Sequence, residues 1–184
     1  MRRFVDSYTQ TEASTPVLVM IDDDDPLLEA YLTIDFPAGF SFRIGKRRSL
    51  SELYNSISLT HDWYGFIADD VIPRTKLWDR LLIDAAGKDG MSVPEYETEV
   101  APHFVLGGDL VRDVGFLCLQ GLDRIYIDTV WNDIAKSRGV FRETDVILEH
   151  CHFSTGAPFD LTYKKHNKPQ DKRIYEEWKN DHTP

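Results

Sequence analysis

The chain is short of cysteine, of basic charge and of long apolar runs, and each shortage closes off a class of protein. Two cysteines, Cys118 and Cys151, stand far apart in 184 residues and belong to no C-x-x-C unit. A disulfide framework is therefore not expected, and two reduced thiols in a cytoplasmic protein are. No apolar run approaches the ~20 residues of a membrane helix. Met1-Arg2-Arg3-Phe4 leads into polar Asp6, Ser7 and Thr9 rather than an apolar signal core, so no membrane span is expected. Lys and Arg number 21 against 31 Asp and Glu, a formal net charge of −10. That balance works against gripping nucleic acid through phosphate neutralisation alone.

What is present is ordinary for a globular protein. Hydrophobic residues at 42% and aromatics at 12% exclude wholesale disorder. The length suits one domain, large enough to bury about 70% of the surface its unfolded form exposes. The acid is clustered: Asp22, Asp23, Asp24 and Asp25 stand in a row, and Asp69 and Asp70 form a pair.

Apolar patterning predicts where these clusters fall. Val17 to Ile21 is a short apolar run rich in β-branched residues that stops at the four aspartates, as a buried strand would. Further strands are expected over 40–44, 64–68, 104–106 and 146–148, that over 64–68 ending in Asp69-Asp70 and the last delivering Glu149-His150-Cys151-His152. Helices are expected over 2–9, behind Pro26, through Leu53 to Ile57, over 77–85, over 110–116 and over 130–135. Ser49-Leu50-Ser51-Glu52 has the form of a capping box for the third of these. Strands alternating with helices predict an α/β fold, a Rossmann-type single domain over residues 1–162 with a mostly parallel central sheet flanked by helices. The tail, 163–184, is basic and then amphipathic, suited to packing on the domain or on a partner.

Ligands bind open α/β sheets beyond the carboxyl ends of the strands, which is where these acids fall. Adjacent carboxylates are hard to keep ionised unless a cation or donors compensate, and hard oxygen ligands suit Mg²⁺ or Mn²⁺. His150 and His152, two apart on a strand, share a face and suit a metal or a phosphate. Gly107-Gly108-Asp109 reads as a turn where backbone can approach a ligand, Asp128 as an acid at a helix start, and Arg47-Arg48 as phosphate contacts. Each also fits a plain structural role: a solvated turn, a surface histidine, a β-turn, a helix cap or a solvated loop.

The order of these parts, from about Phe4 to about Phe153, resembles the GT-A nucleotide-sugar glycosyltransferases, particularly the family 2 type of bacteria and bacteriophages. The resemblance implies a divalent-metal-dependent enzyme moving a sugar from a nucleoside-diphosphate sugar to an acceptor, which could be a glycan, a protein or modified nucleic acid. It implies Asp22 or Asp23 on the nucleotide, with Arg47, Arg48 and Asn55 near the diphosphate. Asp69 and Asp70 with His150 or His152 would hold Mn²⁺ or Mg²⁺. Gly107, Gly108 and Asp109 would lie on the acceptor side, and Asp128 would be the general base. The family's DxD motif is reduced here to Asp69-Asp70, its first position falling at Ile67 or Ala68. The family's usual first strand is expected to be missing, which would leave open edges and favour a homo-oligomer or a displaced tail. Two other readings use the same residues: a non-catalytic GT-A-like binding or assembly protein, and a metal-dependent phosphohydrolase or nucleotidyltransferase.

Overall fold

The computed structural model describes residues 1–68, 70–151 and 168–182. In chain order its elements are α1 (Arg2–Gln10), β1 (Val17–Asp22), α2 (Leu28–Leu32), β2 (Phe40–Gly45) and α3 (Leu50–Tyr54). There follow β3 (Trp63–Phe66), β4 (Val71–Pro73), α4 (Trp78–Ala86), β5 (Met91–Val93) and β6 (Phe104–Gly107). The last are α5 (Gly108–Val114), α6 (Ile127–Ser137), β7 (Phe141–Glu143), β8 (Leu148–His150) and α7 (Lys168–His182).

The fold is mixed α/β, and its sheets depart from the expected mostly parallel one. β1 and β2 form a parallel pair, Val17 opposite Phe40 through Asp22 opposite Gly45. A four-stranded sheet runs β3-β6-β5-β7; β6 is antiparallel to both β3 and β5, and β5 is parallel to β7. β4 and β8 form a separate antiparallel pair. Connections explain the mixture. Parallel neighbours need a long crossover, usually helical; α5 and α6 supply one between β5 and β7, but residues 94–103 between β5 and β6 contain no helix. β4, β5 and β7, three residues each, were not expected, since so short a strand shows no period.

The helices pack by their apolar stripes. α6 buries Ile127, Val130, Trp131, Ile134 and Ala135, the i, i+3, i+4, i+7, i+8 spacing of a core-facing face. They join Met91, Phe104, Leu106, Leu117 and Leu122 in one core. A second core under α1 and α4 gathers Phe4, Tyr8, Val71, Trp78, Leu82 and Leu148. Asp79 Oδ2 ties these helices to the turn after α1, accepting the N–H groups of Ser14 and Thr15 at 2.8 Å each. The Ser49 capping box is present, with its side chain accepting from Glu52 N and Glu52 reaching back. α3 ends at Tyr54, short of the expected Ile57, and α2 starts two residues beyond Pro26, at Leu28.

Candidate functional site

β4 and β8 bring two of the expected residues together. Their register sets Val71 opposite His150, and the Cys151 N–H donates to the Asp70 carbonyl at 3.0 Å. His150 Nε2 thereby comes within 3.3 Å of Asp70 Oδ1. That oxygen is closed to solvent and makes no hydrogen bond, so His150 approaches it closely without hydrogen-bond geometry. Burial, the largest influence on Asp70, pushes its carboxyl up; the contact with His150, its own backbone and His103 together outweigh it and leave Asp70 below the usual carboxylate range.

A third member was missed by sequence reasoning. His103, just before β6, stands edge to face with His150, ring centroids 4.7 Å apart. It is 4% exposed, and its Nε2 has no hydrogen-bond partner. Burial, and then the neighbouring His150, push the imidazole down to about 4 against the smaller opposing pull of Asp70, so His103 is neutral at neutral pH. A histidine directly before the buried run Phe104-Val105-Leu106 was the signal available for it.

The carboxyl ends of β1 and β2 form a second group. Arg47 Nη1 lies 3.2 Å from Asp22 Oδ2, and its Nη2 lies 3.0 Å from Asp24 Oδ1. Asp23 is exposed, with its N–H donating to the Gly45 carbonyl at 2.8 Å. Arg43, Lys46 and Arg48 share a narrow crevice with Asp22. A wider concavity of about 380 Å³ beside α1, lined by Val5, Asp6, Thr9, Asp35 and Phe36, contains none of the expected site residues.

Asp128 lies in the first turn of α6. Burial raises its carboxyl, against bonds from Thr129 N and Oγ1 at 2.8 and 3.3 Å. The buried Asn132 amide donates to the Asp128 carbonyl at 2.9 Å and to the Ala101 carbonyl at 3.5 Å. Because Ala101 is two residues from His103, one side chain ties the start of α6 to the segment that carries the buried histidine.

Other expected residues have internal work. Asn55 was placed near the diphosphate, but its Oδ1 accepts from Leu117 N and Cys118 N at 2.9 and 3.0 Å, and its Nδ2 donates to Cys118 O at 2.7 Å. It staples the end of α3 to the 117–118 backbone. Gly107 and Gly108 form the β6–α5 junction rather than a free turn. A Cβ on Gly107 would stand 2.2 Å from the Lys88 carbonyl oxygen, and one on Gly108 2.2 Å from that of His61. Both glycines answer to close backbone packing. The Asp109 N–H donates to Lys88 O at 2.9 Å, and its carboxylate pairs with Arg112. Asp69 and His152 lie outside the described residues. Among the described residues, no three His, Cys, Asp or Glu side chains are grouped to hold a metal ion, and no helix is long and apolar enough to cross a membrane.

No family model, no curated protein and no solved structure matches the chain. Its chemistry therefore rests on the geometry: an oxygen and nitrogen donor pair at Asp70 and His150, a buried neutral imidazole against it, and a half-buried carboxyl at Asp128 linked to the same segment.

Proposed function

We propose that the chain is a GT-A-type glycosyltransferase, moving a sugar from a nucleoside-diphosphate sugar to a hydroxyl of a glycan, a protein or modified nucleic acid with the help of a divalent cation. The observation that carries this reading is the 3.3 Å approach of His150 to Asp70. Two strands distant in sequence pair so that an imidazole meets a carboxylate oxygen that nothing else satisfies. A mixed oxygen and nitrogen donor set fits Mn²⁺ better than Mg²⁺, which prefers oxygen alone. Asp70 and His150 would hold the cation, with Asp69 and His152 as their sequence neighbours in the same task. When bound, it supplies neutralisation of the charge on the departing diphosphate.

The remaining groups have roles that follow from their surroundings. Asp22, steadied by Arg47, offers acceptor oxygens for ribose or base. Lys46 and Arg48 on the same crevice offer positive charge to phosphate. Asp128, raised by burial, is closer to the operating pH than a solvated carboxylate and suits removal of the proton from the acceptor hydroxyl. The purified chain with Mn²⁺ and a panel of nucleoside-diphosphate sugars should release the nucleoside diphosphate. Asp70→Ala should lower that turnover roughly 100-fold or more with the fold intact. Full turnover in Asp70→Ala would sink the assignment.

A second reading, a non-catalytic binding protein, is favoured by one finding: Asn55, Gly107 and Gly108 serve internal packing. Calorimetry would separate the two, since nucleotide binding without any turnover belongs to that reading.

A further inference from the structure

The approach to Asp128 is held in an unfavourable shape from outside. Tyr126, two residues earlier, has φ 69°, a left-handed conformation that a bulky side chain adopts only where its surroundings over-determine it. Those surroundings are α7, separated from Tyr126 by more than forty residues of chain.

Residues along one face of α7 make the grip. Asp171, fully buried in the first turn of α7, accepts the backbone N–H groups of Asp123, Arg124 and Ile125 at 2.8, 2.9 and 2.9 Å. One turn on, the Tyr175 ring lies flat on Tyr126, centroids 4.8 Å apart and planes 12° apart. The Tyr175 hydroxyl donates to Asp133 Oδ2 at 2.6 Å, and Lys179 pairs with the same carboxylate at 3.1 Å, so α7 also holds the flank of α6. Gly121, at φ 91°, leaves the space that Ile174 fills: a Cβ there would stand 3.1 Å from the Ile174 side chain. The same loop faces α3, where the Asp123 and Leu122 carbonyls accept the N–H groups of Leu50 and Ser51 at 2.8 and 3.4 Å.

Without Asp171, three successive N–H groups in this loop would lack their acceptor and turn toward water. Tyr126 would then be free to return to negative φ, and the first turn of α6 would swing with it. We infer that α7 is a positioning element for Asp128, with Asp171 and Tyr175 as its positioning residues. The inference rests on the reading of Asp128 as the general base, and its test separates the two.

The test uses the full chain. In Asp171→Asn, amide hydrogen exchange over residues 123–128 should quicken about tenfold or more while that of β5 and β6 stays as in the wild type. Tyr175→Ala should do the same, and Tyr175→Phe, which keeps the ring, should retain the protection. This pair decides the matter should Asp171→Asn fail to fold. With sugar transfer measured, kcat of Asp171→Asn should fall about tenfold while the donor KM stays within about twofold. Unchanged exchange over 123–128, or quickening spread equally over β5 and β6, would overturn the grip. Faster local exchange with kcat intact would overturn the positioning role. A wild type that transfers no sugar at all removes the reading of Asp128, while the exchange experiment still decides whether α7 holds the loop.

Discussion

The junction beneath α7 and the junction of β4 with β8 each close a carboxylate oxygen off from water, and they treat it in opposite ways. Asp171 gives both oxygens to three backbone N–H groups. Asp70 keeps Oδ1 without a hydrogen bond, with His150 at 3.3 Å and the unsatisfied Nε2 of His103 beyond it. Backbone donors drawn partly out of water require an acceptor, and Asp171 supplies it. A buried oxygen and a buried imidazole nitrogen, each lacking a donor or acceptor, are instead the mark of a place for an ion, a water or a ligand. Asp79 stands between the two, with Oδ2 holding Ser14 and Thr15 and Oδ1 unpartnered. A carboxylate's use is therefore read from which of its oxygens are satisfied, and by what.

The largest effect expected of this contrast is on folding. Asp171→Ala takes the shared acceptor from three part-buried N–H groups, which water then satisfies only in part, so urea unfolding should show a loss of about 2 kcal/mol or more. Asp70→Asn keeps the volume and gives up only the partly exposed contact with His150, so its stability should change by less than about 1 kcal/mol. The contrast breaks if the two losses are equal or reversed.

A smaller effect is set by pH. His103 is depressed to about 4 in the folded chain against an ordinary value of 6.5. Between those values the unfolded chain takes up a proton that the folded chain refuses. The stability from keeping this histidine neutral is thus complete above pH 6.5 and is lost as pH falls toward 4, up to about 3 kcal/mol. The depressed Asp70 acts in the same direction but at more acid pH, below the ordinary carboxylate value. His103→Phe preserves a ring against His150 and should flatten the change between pH 7 and pH 5. Parallel losses in wild type and variant would show that the buried neutral imidazole is not the cause.

The helices and longer strands were legible because their apolar spacing is local: α1, β1, β2, α4 and α6 all lie within a residue or a few of their expected places. The mixed strand directions were not, since direction depends on what crosses between strands, and the three-residue strands β4, β5 and β7 carry no pattern. In the candidate site, the strand-end positions of Asp70 and His150 and of Asp22 and Arg47 were legible, and the fold brings each pair into contact. Asn55 and the two glycines looked alike in sequence whether they faced a ligand or a neighbouring backbone, and only the packing separates the cases. His103 was missed because a lone histidine beside a strand carries no spacing; its ring partner, His150, comes from β8, distant in the chain.

The smallest effect on stability belongs to the end of β1 and β2. Arg47 is 36% exposed, and its partners Asp22 and Asp24 are 29% and 59% exposed. Exposed ion pairs contribute about 0–1 kcal/mol, because water screens them and ordering long side chains opposes them. Arg47 does separate carboxylates that repel one another, so Arg47→Ala should lose up to about 1 kcal/mol, and less at high salt, where the repulsion is screened. The greater loss should fall on nucleoside-diphosphate binding by calorimetry, since Asp22 is then no longer held in place. Arg47→Lys should recover the stability but not the binding, because an ammonium cannot reach two carboxylates with a planar fork. Were Arg47→Ala as damaging to folding as Asp171→Ala, the acidic row would belong with the satisfied carboxylates that build the fold, and the ligand-facing role would pass to the Asp70 region alone.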